Sequence, residues 1–152
     1  MDIRIEYFTE PNGDFIALVA LLDTEFTAKN GELQKFYEGF NKLDGMRDFF
    51  VAYQEEIPVG IAAMKRHDQD AYEVKRVFVK KDYRGLGISK LLMKKLEEKA
   101  IQNHTRSLIL ETSATFTTAR NLYRSLGYQD IENYGQYVGM SLSVCMRKEI
   151  GE

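Results

Sequence analysis

The sequence has little cysteine, little proline and no long apolar run, and these shortages argue against several classes of protein. It contains one cysteine, Cys145, and two prolines, Pro11 and Pro58, among 152 residues. A single cysteine excludes an internal disulfide framework and fits a reducing compartment such as the cytoplasm. The longest apolar runs, such as Phe15–Leu22, fall well short of the ~20 residues that a membrane-spanning helix requires. The charged start Met1–Glu6 predicts no secretory signal.

Charge is nearly balanced over the whole chain but unevenly distributed along it. The 21 basic and 23 acidic residues give a net charge of −2, so no general attraction to nucleic acid or to an anionic membrane is expected. Between Lys75 and Lys95, eight basic residues stand against one acid, Asp82, which gives this stretch a local charge of +7. Such a field suits a compact phosphorylated anion, although a solvated lysine-rich helix face has the same composition.

The order of hydrophobic periods predicts a mixed α/β sheet. The length and the 44% hydrophobic content are typical of one globular domain. Periodicity predicts the strands Ile3–Tyr7, Phe49–Tyr53, Val59–Lys65, Ala71–Val79, Ser107–Thr112 and Ser141–Lys148, with a turn near Gln54–Pro58, and the helical segments Phe15–Asp44 (broken at Asn30-Gly31), Ile88–Asn103 and Phe116–Leu126. The strands Ala71–Val79 and Ser107–Thr112 are joined through a helix and should be parallel, while the others should be hairpin-connected.

Helical spacing also predicts which side chains face inward. In the first helical segment these are Ile16, Val19, Ala20 and Phe26, and the spacing resumes after the break with Leu33, Phe36, Tyr37 and Phe40. In the helix Ile88–Asn103 the predicted inward stripe consists of Ile88, Leu91, Leu92, Leu96 and Ala100. Gly127 stands where a left-handed residue would end the last helix.

A glycine-punctuated turn, Arg84–Ser89, connects a predicted strand to a predicted helix. Glycines allow the backbone to turn tightly and to approach a ligand without Cβ obstruction. The first amides of the following helix have no internal partner, and the helix dipole adds partial positive charge, so the junction suits a pyrophosphate. A plain connecting turn is the alternative. The turn lacks the G-K-[ST] of a P-loop and the G-x-G-x-x-G spacing of a dinucleotide fold.

Three segments in order resemble one known family. Arg84-Gly85-Leu86-Gly87-Ile88-Ser89 resembles the [QR]-x-x-G-x-[GA] signature of the GNAT superfamily of acetyl-CoA-dependent N-acetyltransferases. The preceding Val77–Val79 and the later Ala119–Tyr128 match the same family's pattern, so the resemblance extends over Glu73–Tyr128. Two positions depart from it. Ser89 replaces the usual glycine or alanine, and Phe116 stands where many members carry an asparagine.

The resemblance implies a fold, a cosubstrate and a reaction. The fold would be the GNAT acyl-CoA N-acyltransferase fold, a single domain over residues 1–152 with six to seven strands, about four helices and a parallel pair at the cofactor cleft. The cosubstrate would be acetyl-CoA, without a metal, and the acetyl group would pass directly to a primary amine. The implied cofactor-binding residues are Val77, Phe78 and Val79 along the pantetheine arm, Arg84, Gly85, Leu86, Gly87, Ile88 and Ser89 around the pyrophosphate, and Arg120 and Tyr123 on the last helix.

Acyl transfer to an amine requires two proton movements, which the resemblance assigns to two residues. Tyr123 lies at the family's tyrosine position and is the candidate acid for the departing thiolate, although a tyrosine on an apolar helix stripe is otherwise core. Glu73, on the cofactor-binding strand, is the candidate base, directly or through water. A surface glutamate paired with Lys75 or Arg76 is the alternative, and Glu111 is a second candidate base.

The remaining features leave the acceptor and the partners open. Cys145 has no evident base beside it, and His67 and His104 lack metal-ligand spacing. The loop Asn133–Tyr137 either lines the acceptor site, together with the Phe26–Asp44 region, or is an exposed turn. Besides an enzyme, a non-catalytic acyl-CoA-binding sensor on the same fold is possible, and so is an enzyme that acts on RNA-bound aminoacyl groups, which the net charge disfavours. The resemblance also leaves room for a homodimer.

Overall fold

A computed structural model describes residues 2–30 and 45–151 of the chain. The strands are β1 Ile3–Phe8, β2 Asp48–Gln54, β3 Ile57–Arg66, β4 Ala71–Val79, β5 Ser107–Ser113, β6 Gln129–Ile131 and β7 Ser143–Glu149. The α-helices in this part of the chain are α1 Gly13–Asn30, α2 Ile88–Gln102 and α3 Thr117–Ser125, with short 3-10 helices at Lys81–Tyr83 and Gly135–Tyr137. The helical spacing predicted at Leu33–Phe40 lies outside the described residues.

The strands form one mixed seven-stranded sheet in the order β1-β2-β3-β4-β5-β7-β6. The pairs β1/β2, β2/β3, β5/β7 and β6/β7 are antiparallel. The pair β4/β5 is parallel, with the register Ala71↔Ser107 to Glu73↔Ile109. The predicted fold class and the predicted parallel pair are therefore confirmed. No helix in the described ranges is both long and apolar enough to cross a membrane.

The chain divides into two compact units, and β4 and α2 each contribute residues to both. The first unit comprises Met1–Lys65 and Lys75–Leu96, and the second comprises Arg66–Val74 and Glu97–Glu152. In the first unit α1 packs on the sheet, and the rings of Phe15 and Phe49 meet edge to face at 5.0 Å. Each such buried aromatic or aliphatic side chain contributes about 1.5–3 kcal/mol.

The inward face of α1 differs from the predicted one. Phe15, Leu18 and Leu22 are buried in the core, whereas Ile16 is 53% exposed. Almost every residue from Phe15 to Leu22 is apolar, so spacing alone does not distinguish one face from another. In α2 the predicted stripe is correct except at Leu91, which is 43% exposed, while Met93 is buried in its place.

The hairpin of β2 and β3 and the short strand β6 also differ from the sequence prediction. Only Glu55 and Glu56 form the turn, and Pro58 lies within β3, opposite Tyr53, where the register shifts between Ala52 and Tyr53. A strand tolerates proline at such an irregularity because a regular ladder would miss its N–H. β6 was not predicted, since it has three residues and all are exposed.

In the second unit, buried apolar side chains lie on the paired strands β5 and β7. Leu108, Leu110 and Met146 are buried there. Lys148 on β7 forms an ion pair with Glu97 at the start of this unit's part of α2. The helix α3 ends before Gly127, whose φ of +99° confirms the predicted left-handed position.

Candidate active site

The turn between β4 and α2 presents main-chain amides that the protein itself does not use. Gly85 and Gly87 have φ angles of +79° and +83°, and a Cβ added at either would meet no atom within 4 Å. The first hydrogen bond of α2 runs from the N–H of Leu91 to the carbonyl of Gly87 at 3.2 Å. Within the described residues, the N–H groups of Gly87, Ile88, Ser89 and Lys90 have no acceptor. The turn is therefore open to an anion.

The start of α2 is held firmly against the sheet at Gly60 of β3. A Cβ added at Gly60 would lie 3.2 Å from Cδ1 of Leu92, 3.2 Å from the Phe78 carbonyl oxygen and 3.3 Å from Cγ2 of Ile88. The absence of a side chain at this position thus allows α2 to approach β3 closely. This close packing fixes the position of the free amides at the helix start.

The Arg84 side chain binds other parts of the protein next to the turn and does not point freely into solvent. Its Nε donates to the carbonyl of Val79 at 2.8 Å. Its Nη2 lies 2.8 and 3.0 Å from the two carboxylate oxygens of Glu25 on α1, and the guanidinium carbon lies 5.5 Å from the centre of the Phe78 ring. Of the residues predicted to surround the pyrophosphate, Arg84 therefore already has anionic and carbonyl partners in the first unit.

The segment of β4 that is predicted to bind the cofactor, Val77–Val79, follows an irregularity in the strand. Arg76 has a φ of +55°, a conformation that is costly for a residue with a side chain. Its guanidinium forms an ion pair with Asp23 of α1 at 2.5 Å. Beyond this point Val77 is half-buried and Phe78 and Val79 are buried. The N–H of Lys80 donates to the carbonyl of Val59 at 2.9 Å, so this amide is already paired.

The second unit contains the candidate base Glu73 and brings a loop tyrosine to it. The side chain of Glu73 is 8% exposed, and its Oε2 accepts a hydrogen bond from the Tyr134 hydroxyl at 2.7 Å. Burial raises the pKa of Tyr134 well above its ordinary value, and the negative charge of Glu73 raises it further. The phenol of Tyr134 therefore remains a proton-bearing donor at neutral pH.

A second carboxylate, Glu111 on β5, has a hydroxyl partner of its own. Its Oε2 accepts a hydrogen bond from the Ser143 hydroxyl at 2.7 Å. The same carboxylate raises the pKa of Tyr123, although by less than burial does. Sequence reasoning proposed Glu111 as a candidate but gave no signal for Ser143, which meets it only through the antiparallel pairing of β5 with β7.

Tyr123 on α3 is buried, and burial changes the acidity of its phenol. Burial raises the pKa of Tyr123 to about 12, and the charge of Glu111 contributes to the rise. The ring meets that of Tyr128 edge to face at 5.8 Å. The Tyr128 hydroxyl is buried and has no hydrogen-bond partner within the described residues. The phenol of Tyr123 is therefore neutral over the working pH range.

The start of α3 is the place where Phe116 stands instead of the asparagine that many members of the family carry. Phe116 precedes the helix and supplies no side-chain cap. On the first turns of α3, Nη1 of Arg120 donates to the carbonyl of Ala114 at 2.9 Å, while its Nε is buried without a partner within the described residues. Arg120 therefore closes the loop before α3 and retains an unused donor.

A comparison with known families identifies this arrangement. The family model described as the acetyltransferase (GNAT) domain matches residues 18–150. The chain belongs to the GNAT acetyltransferases. As a GNAT acetyltransferase it is an acyltransferase enzyme, which confirms the family and the enzyme class predicted from the glycine turn.

Two solved structures and one curated relative illustrate the relationship. A candidate acyl-CoA N-acyltransferase from Klebsiella pneumoniae has a TM-score of 0.80 at 27% identity, with 97% of each chain covered. A GNAT family acetyltransferase from Elizabethkingia anophelis with acetyl-CoA bound has a TM-score of 0.72 at 18% identity, with 97% of each chain covered, and shares the fold. The human N-acetylaspartate synthetase is 36% identical over 102 residues, 65% of this chain and 34% of that protein. The chain thus spans about a third of the length of the N-acetylaspartate synthetases that it matches.

The structure of this GNAT acetyltransferase also shows the surroundings of its single cysteine and its two histidines. Burial raises the pKa of Cys145 to about 11, so its thiol is protonated at neutral pH. The ring of His67 packs on Tyr134, and His104 follows the end of α2 with a φ of +63°. In residues 2–30 and 45–151, no three side chains of His, Cys, Asp or Glu are grouped to hold a metal ion.

Proposed function

We propose that this GNAT acetyltransferase moves the acetyl group from acetyl-CoA to a primary amine by direct transfer, with the diphosphate of acetyl-CoA bound at the turn Arg84–Ser89. The observation that carries the proposal is the set of four N–H groups, Gly87 to Lys90, which have no acceptor in the described residues. A helix start with free amides and a favourable dipole binds phosphate groups. The two open glycines leave room for the ligand to reach these amides.

The pantetheine arm is proposed to lie along Val77, Phe78 and Val79. The parallel register of β4 with β5 ends at Glu73↔Ile109, whereas β4 continues to Val79. Amide groups of a ligand can extend a strand by pairing with its main chain. Because the Arg84 side chain already binds the Val79 carbonyl, we assign Arg84 the role of shaping this segment. Lys80 and Lys81, next to it in the sequence, are our candidates for contact with the phosphates.

In the proposed reaction the amine nitrogen attacks the thioester carbonyl, the new C–N bond forms and the C–S bond breaks. The ammonium proton passes to a carboxylate, for which Glu73 is the first candidate. The CoA thiolate then takes a proton, for which Tyr123 is the candidate donor. The products are an N-acetyl amine and free CoA.

The high pKa of Tyr123 constrains how this donor works. A phenol of pKa about 12 is a weaker acid than a thiol of pKa about 8.5, so complete transfer of its proton to the free thiolate would be uphill by roughly 5 kcal/mol. Donation of a hydrogen bond while negative charge develops on sulfur avoids this cost. We therefore propose that the Tyr123 hydroxyl donates a hydrogen bond to the sulfur as the C–S bond breaks and stabilises the charge that develops there.

Two carboxylates compete for the role of base. Glu73 and Glu111 are each hydrogen-bonded to one hydroxyl group at 2.7 Å. The variants Glu73→Gln and Glu111→Gln separate them, because each preserves the shape of the side chain and removes its ability to take a proton. The base is expected to be the residue whose loss lowers kcat by about 100-fold or more.

The function is tested by measuring CoA release with a panel of amines. The panel includes amino acids such as aspartate, diamines and peptides with free N-termini. It is broad because the match covers only about a third of the N-acetylaspartate synthetases, so the acceptor in their name is one candidate among several. Turnover on one class of amine, lost in the Tyr123→Phe variant, supports the proposal. Tight binding of acetyl-CoA without release on any amine would instead support the sensor.

Two broader proposals accompany this function. The match of the family model over residues 18–150 supports one GNAT domain over the whole chain. The single cysteine, buried and protonated, fits work in the cytoplasm.

A further inference from the structure

Tyr134 is tied to the candidate base Glu73 although 61 residues separate them. The bond is short, 2.7 Å, and its acceptor is a carboxylate that is almost fully buried. Hydrogen bonds to charged groups are stronger than those between neutral groups, and more so away from water. The contact is therefore able to fix one orientation of the Glu73 carboxylate.

The ring of Tyr134 itself contacts two other rings. His67 meets it at 5.2 Å with an interplanar angle of 64°, and Tyr137 meets it at 5.6 Å and 89°. The turn that carries His67 is closed by hydrogen bonds from the N–H groups of His67 and Asp68 to the carbonyl of Ala71. These two ring contacts restrict the movement of the Tyr134 hydroxyl away from Glu73.

The loop that carries Tyr134 is fixed by the neighbouring asparagine. Nδ2 of Asn133 donates to the carbonyls of Tyr137, Met140 and Ser143 at 3.1, 3.0 and 3.2 Å. These bonds connect the start of the loop to its later residues and to the first residue of β7. The short 3-10 helix Gly135–Tyr137 lies within it and buries Tyr137. The hydroxyl of Tyr134, its ring and the loop that carries it are thus all held by contacts with other residues.

We infer that Tyr134 is a positioning residue, which holds the carboxylate of Glu73 in the orientation that receives the ammonium proton. The inference rests on the proposed function, in which Glu73 is the base. Tyr134 acts through Glu73 and takes no part in binding acetyl-CoA. Its loss should therefore lower kcat and leave the KM for acetyl-CoA unchanged.

The test compares Tyr134→Phe with a matched loss elsewhere in the chain. The Tyr53 hydroxyl donates to Asp14 at the same distance, 2.7 Å, in the first unit. Both variants remove one phenol–carboxylate bond and add no bulk. We expect Tyr134→Phe to lower kcat roughly 10- to 100-fold, with the KM for acetyl-CoA within about two-fold of the wild type. Tyr53→Phe should leave both constants unchanged. Rates are measured below the lowest melting temperature of the set, so that unfolding does not contribute.

A double-mutant cycle shows whether Tyr134 acts through Glu73. In a Glu73→Gln background, Tyr134→Phe is expected to cause no further loss of kcat. An unchanged kcat in Tyr134→Phe, or an equal loss in both backgrounds, would overturn the inference while leaving the base assignment intact. Full activity of Glu73→Gln alone would instead remove Glu73 as the base, a result that concerns the proposed function.

Discussion

The proposed binding of an anion at the turn Arg84–Ser89 can be tested at Gly87 with two variants that differ in charge but not in size. Gly87→Asp and Gly87→Asn introduce side chains of almost the same size, and only the first is charged. The residue has a φ of +83°, and an added Cβ meets no atom within 4 Å. The positive φ therefore destabilises both variants by a similar amount, about 1–2 kcal/mol or less, and neither variant creates a clash in the free protein.

The expected difference follows from electrostatic repulsion. Two unit charges 4 Å apart repel by about 1 kcal/mol in bulk water and about 4 kcal/mol at an effective dielectric constant of 20. The turn is exposed, so the lower part of this interval applies. We expect the Kd of acetyl-CoA to be about 10-fold higher for Gly87→Asp than for Gly87→Asn, which corresponds to about 1.4 kcal/mol.

The assay is calorimetric titration of acetyl-CoA at low and at high salt. The Debye length falls from about 10 Å at 0.1 M to about 3 Å at 1 M, so the gap between the two variants should narrow as salt is added. Gly139→Asp is the control, because Gly139 has a φ of +82° and an equally open Cβ position but lies in another loop. Its Kd for acetyl-CoA should equal that of the wild type. Equal affinities of Gly87→Asp and Gly87→Asn at low salt would refute the binding of diphosphate at this turn.

Three further predictions concern the candidate catalytic phenol of Tyr123 and the packing of the turn. Tyr123→Phe should lower kcat by about 100-fold or more with little change in acetyl-CoA affinity, and because the pKa of Tyr123 is about 12, the wild-type rate should show no loss from its ionisation below about pH 10. An unaltered rate would remove the phenol from the mechanism. Gly60→Ala should cost about 1–3 kcal/mol in urea denaturation, because its Cβ would lie 3.2 Å from Leu92 and from a carbonyl oxygen, whereas Gly13→Ala, in open space, should not destabilise the protein. The Arg84–Glu25 ion pair is partly exposed, so a double-mutant cycle should give a coupling of about 0.2–1 kcal/mol, and a much larger value would show that the pair is the main support of the turn.

Much of the fold could be predicted because its signals are local. Alternating and helical periods placed most of the strands and helices within a few residues of their observed bounds, and the βαβ order implied the parallel pair. The short strand β6 escaped, because three exposed residues carry no periodic signal. Pro58 was misplaced into the turn, since proline favours a turn locally and only the pairing with β2 shows that β3 accommodates it.

The candidate site likewise has parts that could be predicted from the sequence and parts that could not. The turn Arg84–Ser89 could be recognised because positive φ at glycine and free amides at a helix start are properties of a few consecutive residues. The hydroxyl partners of the two carboxylates could not, because Tyr134 reaches Glu73 and Ser143 reaches Glu111 only through long-range contacts. The loop Asn133–Tyr137 had been noticed for its composition, but its fixed geometry had no sequence signal.

The sequence by itself determined the backbone chemistry of this protein, namely a glycine turn between a strand and a helix and the tyrosine and glutamate at the family's positions. Tertiary structure alone decided which face of α1 is buried, because its apolar run Phe15–Leu22 offers several equivalent faces until a sheet covers one. It also decided that Glu25 takes the guanidinium of Arg84. Such pairings depend on distances across the fold, which no local pattern of residues encodes.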